Sequence, residues 1–156
     1  MIEVLRTWRP ELVLGPTPSD RHPDHGRAHR LVEAACFYSG LANRGEGAAH
    51  RPGAFFAYMQ NDPFDPSFVV DVTATWEVKR QALCAYRSQL FQPGVQTDER
   101  RAEPVTKVST EDFSLMIEGR ARHFGSMIGA TFGEPFWHRL PLAVPDPFLL
   151  LPGGVR

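Results

Sequence analysis

The sequence has only two cysteines among its 156 residues, Cys36 and Cys84. Two isolated thiols cannot build the disulfide framework that stabilises a small secreted domain. Both lie in stretches with helical spacing, where isolated cysteines are most often buried and free. The cysteine content therefore predicts two free thiols and a cytoplasmic protein.

Long apolar runs and an excess of one charge are also absent. No run approaches the roughly 18 apolar residues that a membrane-spanning helix needs, and residues 1–6 lack the apolar core of a signal peptide. The formal net charge is −1 and the pI is about 6.6, so no basic field draws the chain to nucleic acid or an anionic membrane. We therefore expect a small-molecule partner, with no nucleic acid and no membrane.

The composition that remains, 42% hydrophobic and 22% charged residues, fits one globular domain over residues 1–156. Segments of β character alternate with segments of helical periodicity, which predicts an α/β fold with a mainly parallel sheet. The predicted strands cover residues 11–14, 54–59 and 68–72, and the predicted helices cover residues 26–38, 73–90 and 112–128.

Two further stretches bear on the extent of the domain. Residues 4–10 are typical of the last turns of a helix that feeds a strand through proline, so we expect the domain to be partial, with its N-terminal strands missing. Residues 92–106 combine proline, glycine and charge, which favours a plain surface loop over a lid.

The most informative stretch is residues 20–25, DRHPDH, which lie between the first predicted strand and the next helix. Two histidines and a carboxylate at such a turn suit metal-assisted hydrolysis, because ligands bind beyond the carboxyl ends of strands in parallel α/β sheets. One of His22 and His25 could bind a metal while the other faces a reacting carbonyl. Asp24 could be a further ligand, or could accept a ring N–H and fix a histidine's tautomer.

Two considerations weigh against a complete metal site in this loop. A catalytic zinc uses three protein ligands and keeps an open position for water, which residues 20–25 do not comfortably supply. Histidine and aspartate also favour helix entry, so a capped turn without chemistry is the alternative interpretation. Arg21 could bind an anionic substrate or could pair with Asp20 or Asp24.

The other histidines and a strand-end acid are weaker candidates. We expect them to have structural roles in packing, at the surface or, for the acid, in capping a helix: His50, His123, His138 and Asp71.

Longer runs of the sequence carry a family resemblance. They are RTWRPELVL at residues 6–14, DRHPDH at 20–25, LVEAA at 31–35, FAYM at 56–59, VDV at 70–72, KRQALCAYRSQ at 79–89, RARHFG at 120–125 and GEPF at 133–136. In this order they resemble the LmbE-like (PIG-L) family of zinc-dependent N-acetylglucosaminyl deacetylases, and within it the bacillithiol-biosynthesis deacetylases. The resemblance covers nearly the whole chain and corresponds to the C-terminal portion of the family's domain.

The resemblance implies a Rossmann-like fold, Zn²⁺ as cofactor and hydrolysis of an acetamide to acetate and a free amine. By this resemblance His25 is a zinc ligand, His22 is a general acid or stabilises the oxyanion, and Asp24 supports it electrostatically. The implied substrate is an N-acetylglucosamine conjugate, most specifically the malate glycoside, whose carboxylates Arg21 could bind bidentately. A homo-oligomer is expected.

The sequence departs from the family at the metal site itself. The family's other two zinc ligands and its general base belong to a His-Pro/Ala-Asp-Asp motif near the start of the domain, and no such motif is present here. The alternative to a deacetylase is therefore a non-catalytic remnant that acts as a subunit or interaction module. A metal-independent sugar-binding fold is a third interpretation.

Overall fold

The computed structural model describes residues 1–86, 90–91 and 107–151. Four helices and four strands follow one another in these ranges: α1 (Ile2–Trp8), β1 (Leu12–Pro16), α2 (Pro23–Ser39), β2 (Ala54–Tyr58), β3 (Phe68–Asp71), α3 (Trp76–Cys84), α4 (Glu111–Met127) and β4 (Gly133–Trp137). Short 3₁₀ turns occupy Thr73–Thr75, Lys107–Ser109 and Pro147–Leu150. None of the described helices combines the length and the hydropathy needed to cross a membrane.

The strands form a sheet in the order β1-β2-β4-β3. β1 runs parallel to β2, with Leu12 opposite Ala54, whereas β2 and β4 are antiparallel. Just before and just after β3, the Ser67 N–H donates to the Phe136 carbonyl and the Val72 N–H donates to the Phe132 carbonyl. The partner's number falls as the donor's number rises, so β3 and β4 are antiparallel.

The prediction of a mainly parallel sheet is therefore wrong for the described strands. The physical reason is β4, Gly133–Trp137, which the sequence analysis did not predict and which lies between β2 and β3. Glycine and proline both weaken strand propensity, and this strand contains one of each within GEPFW. The α/β class itself is confirmed.

By their contacts the described residues divide into two compact units. The first contains residues up to 68 together with those from 135 onward. Its core is formed between α1, α2 and the first two strands by Leu5, Ala35 and Cys36, with Ile2, Val13, Val32 and Phe55 packed against them.

A buried arginine also holds the first unit together. Arg6 lies on α1 with 6% of its surface exposed, and its guanidinium donates to main-chain carbonyls at and beyond the end of α2. One acceptor, the Ser39 carbonyl, ends the helix and also accepts from the His50 N–H, and the other acceptors lie in the segment that follows α2. The acceptors are the carbonyls of Ser39, Leu41, Gly45, Glu46 and Gly47, at 2.6–3.1 Å.

The second unit, residues 69–134, is centred on aromatic stacking. Trp76 stacks on Phe132 at 4.4 Å between ring centroids, and Arg122 lies over the same Phe132 ring. A Cβ on Gly133 would lie 2.7 Å from the backbone nitrogen of Gly125, so only glycine permits this approach of α4 and β4.

Several predicted helix boundaries differ from the structure. α2 begins at Pro23 rather than near residue 26, because proline is favoured at the first helical position. α3 ends at Cys84, although the pattern predicted a helix to residue 90, of which residues 87–89 lie outside the described ranges. The prediction for residues 92–106 also lies outside them.

Candidate functional site

The DRHPDH loop follows β1, and the loop that follows the neighbouring parallel strand β2 lies beside it. Asp20 joins the two loops, because its carboxylate accepts hydrogen bonds from the Asn61 side chain at 3.1 Å and from the Asp62 N–H at 3.0 Å. The carboxyl ends of adjacent parallel strands meet at one edge of a sheet, which is where ligands bind in α/β folds. The motif therefore lies where the sequence analysis expected a site.

Asp20 has a fully buried side chain and contacts Nδ1 of His25. Burial by itself would raise the pKa of the Asp20 carboxyl. Hydrogen bonds outweigh burial and lower this pKa to about 2. In order of effect, the donors are His25, the Asp62 N–H, the Asn61 amide and the Arg21 N–H. Asp20 is therefore an anion at neutral pH and can only accept hydrogen bonds.

This contact determines which nitrogen of the neutral His25 ring carries the proton. Because ionised Asp20 only accepts, Nδ1 is the protonated nitrogen and Nε2 presents its lone pair. The Gln60 amide nitrogen, a donor, lies 3.4 Å from Nε2, which agrees with the same tautomer. A carboxylate behind one ring nitrogen, with the other nitrogen available, is the usual arrangement of a metal-binding histidine.

His22 is the N-cap residue of α2. Its Nδ1 accepts a hydrogen bond from the Asp24 N–H at 3.2 Å, so in the neutral ring the proton is on Nε2. Its ring stacks on His25 with centroids 5.1 Å apart. The capped turn is thus real, and it leaves the Nε2–H of His22 as a donor beside His25.

Asp24 and Arg21 have looser environments. The Asp24 side chain is 66% exposed and pairs with Arg27 at 2.9 Å, so it does not fix the His25 tautomer. Arg21 is exposed and contacts Asp20 through its backbone N–H at 2.7 Å. Among the described residues its guanidinium forms no ion pair with either carboxylate.

The donor set for a metal is incomplete in the ranges that the structure covers. There, no three side chains of histidine, cysteine, aspartate or glutamate come together in a way that could hold a metal ion. One imidazole with an ionised carboxylate behind it is present, whereas a catalytic zinc needs three protein ligands. These residues therefore fit one ligand position of a zinc site and do not fit a whole site.

The roles of two residues of this region, Asp20 and His29, were not predicted from the sequence. Asp20 was considered only as a possible partner of Arg21, since its actual partner His25 is five positions away. His29 is 4% exposed and its Nδ1 lies 2.8 Å from the Pro16 carbonyl. Its position one turn after His25 was the available signal, because residues four apart share a helix face.

The weaker candidates have the structural contacts expected of them. His50 Nε2 bonds to the Pro10 carbonyl at 2.8 Å, and His138 Nδ1 to the Leu140 carbonyl at 2.7 Å. Asp71 accepts from the Thr73 N–H at 2.9 Å at the start of a 3₁₀ turn, and hydrogen bonds from Thr73 lower its pKa. His123 packs edge-on against the Phe124 ring.

Comparison with solved structures identifies similar folds, whereas no protein-family model matches the sequence. The conserved protein TT1542 from Thermus thermophilus is 35% identical, with a TM-score of 0.76 over 92% of this chain and 59% of that one. The N,N'-diacetylchitobiose deacetylase from Pyrococcus horikoshii is 23% identical, with a TM-score of 0.65 over 90% of this chain and 49% of that one. GalB, the 4-carboxy-2-hydroxymuconate hydratase from Pseudomonas putida, is 19% identical, with a TM-score of 0.65 over 93% of this chain and 58% of that one.

Two facts follow from these similarities. The chain has an α/β fold shared with a deacetylase, and it spans between about half and three fifths of the length of these structures. A deacetylase and a hydratase share this fold, so the fold alone does not decide the reaction.

Proposed function

We propose that this chain is part of a zinc-dependent deacetylase that acts on an N-acetylglucosamine conjugate. The observation that carries the proposal is the buried, ionised Asp20 at Nδ1 of His25, which leaves Nε2 unprotonated, so that a metal could replace the Gln60 amide at its lone pair. The fold similarity to a diacetylchitobiose deacetylase supports the reaction class. Because the described residues supply one ligand position, we propose that the other ligands come from polypeptide beyond this chain.

The other residues of the loop then have distinct roles. His22 lies beside His25 with its Nε2–H available, so it is proposed to donate to the oxygen of the acetyl carbonyl as that oxygen gains charge. A carboxylate oxygen of Asp24 lies 3.9 Å from Nδ1 of His22, and Asp24 is proposed to support His22 electrostatically in this role. Arg21 has an exposed side chain, and we propose that it binds the carboxylates of N-acetylglucosaminyl-malate, the substrate of bacillithiol biosynthesis.

The proposal is tested on this chain and on a protein extended at its amino end by upstream coding sequence. Zinc content and acetate release from the malate glycoside, N-acetylglucosamine and diacetylchitobiose are measured for both. We expect about one zinc per chain and acetate release only in the extended protein, both lost in His25→Ala and retained in His123→Ala. An extended protein whose zinc content is unchanged by His25→Ala would contradict the proposal.

The role of Arg21 has its own test in the extended protein. Arg21→Ala should reduce turnover of the malate conjugate more than turnover of free N-acetylglucosamine, because only the former carries carboxylates for a guanidinium. Equal losses on the two substrates would remove Arg21 from substrate recognition while leaving the deacetylase proposal intact.

A second function is favoured by the incomplete ligand set of the described residues. In that case the chain is a non-catalytic subunit or interaction module. An extended protein that binds no zinc and releases no acetate would support this alternative over the first.

The proposal also includes the cellular location and the assembly of the protein. We propose a cytoplasmic protein that forms a homo-oligomer. The support for assembly is a run of exposed apolar side chains near the C-terminal end, since monomers rarely expose such patches: Phe148, Leu149, Leu150 and Leu151. Light scattering of the wild type and of Leu150→Ser tests it, with a smaller particle expected for the variant.

A further inference from the structure

His29 is the buried histidine for which the proposed chemistry has no use. It lies on α2 one turn after His25, with only 4% of its surface exposed. Its ring packs against Phe55 of β2 at 5.2 Å and Trp137 of β4 at 5.9 Å between centroids. A leucine or phenylalanine would serve as well for packing alone, so the polar ring needs another explanation.

The explanation lies in the hydrogen bond that the ring makes to the main chain. Nδ1 of His29 lies 2.8 Å from the carbonyl oxygen of Pro16, the last residue of β1. A carbonyl only accepts, so Nδ1 is the protonated nitrogen and donates. Pro16 is buried and ends its strand, and a buried carbonyl without a donor would be costly.

The position of this hydrogen bond in the chain links it to the site. Pro16 is four residues before Asp20, and His29 is four residues after His25. The bond therefore closes the base of the loop that carries both partners of the Asp20–His25 pair. Fixing the two ends of a short loop restricts the conformations open to everything between them.

We propose that His29 is a positioning residue that holds Asp20 and His25 in line, an inference that rests on the proposed role of His25. Without the His29 donor, β1 and the first turns of α2 lose this polar connection. The Asp20 carboxylate then keeps its bonds to Asn61 and Asp62, while His25 moves with the helix. The tautomer and the orientation of the His25 ring are then no longer fixed.

The test uses three variants that separate the donor from the packing. His29→Asn places an amide N–H close to the position of Nδ1. His29→Gln places its amide nearer the position of Nε2, and His29→Phe keeps the aromatic packing without any donor. The readout is the Nδ1–H proton signal of His25 in metal-free protein labelled with ¹⁵N-histidine, assigned by its absence in His25→Ala.

We expect a downfield His25 Nδ1–H signal in the wild type and in His29→Asn, because its exchange with water is slowed by the bond to Asp20. We expect the signal to be broadened or lost in His29→Gln and His29→Phe at unchanged far-ultraviolet circular dichroism. A folded Gln or Phe variant that keeps the wild-type signal overturns the inference, as does a folded Asn variant that loses it. If the Phe variant does not fold, the Gln and Asn pair decides.

This measurement is independent of the deacetylase proposal. The protein contains no metal during the experiment, so a failure of zinc binding or acetate release does not change the result. Conversely, an unchanged His25 signal in the variants removes the role of His29 and leaves the role of His25 to be judged by zinc content.

Discussion

The carboxylate of Asp20 contacts Nδ1 of His25, although Asp24 is the acidic residue next to His25 in the sequence. Asp24 pairs instead with Arg27 at the surface of α2. The two aspartates therefore have different roles. Asp20 joins two loops behind the candidate ligand His25, whereas the Asp24 side chain is exposed to solvent. This difference gives the first prediction.

Asp20→Ala should be far more damaging than Asp24→Ala. Removing the buried Asp20 carboxylate leaves its donors without an acceptor, which we expect to cost about 2–3 kcal/mol of unfolding free energy. The exposed Asp24–Arg27 pair is worth less than about 0.5–1 kcal/mol. Urea denaturation of both variants measures the difference, and equal destabilisation would contradict the assignment of Asp20 as the buried partner.

Arg6 gives a second prediction about the first compact unit. Arg6→Lys should lower the unfolding free energy by about 2 kcal/mol, because one ammonium cannot reach the five carbonyls that the guanidinium fork binds. The control is Arg9→Lys, at an exposed position just after α1, which should be nearly neutral. If both substitutions are neutral, Arg6 does not hold the segment after α2.

The sequence predicted the part of this region that depends on local pattern. The strands β1 and β2, the helix after DRHPDH and the position of that motif past a strand end all follow from alternation and periodicity. The N-cap role of His22 was not predicted, because the helix was expected to begin near residue 26, although Pro23 at the first helical position was the available signal.

What the sequence could not predict depends on partners that are distant in the chain. Asp20 accepts from residues 41 and 42 positions away, and no local pattern marks that pairing. The same holds for β4, whose proline and glycine disfavour a strand and whose antiparallel place depends on β2. The role of His29 was missed because its partner, the Pro16 carbonyl 13 positions away, is brought to it by the fold and is not marked by a local pattern.

Two helical glycines should respond in opposite ways to the same substitution. A Cβ on Gly26, next to His25 in α2, would lie 2.8 Å from the backbone carbonyl oxygen of Pro18. Gly26→Ala therefore has to displace the backbone at Pro18, just before DRHPDH, and should destabilise by about 1–2 kcal/mol. A Cβ on Gly119 in α4 would have no contact within 4 Å among the described residues, so Gly119→Ala should stabilise by about 0.5–1 kcal/mol. Thermal denaturation measures the change in stability of both variants. A stabilising Gly26→Ala would mean that the backbone at Pro18 does not lie against α2.

The two free thiols should react at different rates with a thiol reagent. Cys36 is 8% exposed in the core of the first unit, and burial raises the pKa of its thiol, as does the nearby charge of Glu33 to a lesser extent. Cys84 at the end of α3 is only partly buried. Because the thiolate is the reactive form, we expect Cys84 to be labelled first near pH 8 and Cys36 only slowly.

Two variants and a change of pH show which thiol reacts in which phase of the labelling. Cys84→Ser should remove the fast phase and Cys36→Ser the slow one. Raising the pH above 8 should accelerate the slow phase, because a raised pKa leaves more of the Cys36 thiol still to ionise there. In denaturant both thiols should react together, since the burial that separates them is lost. A native protein whose two thiols react at one rate would contradict the placement of Cys36 in the core between α1 and α2.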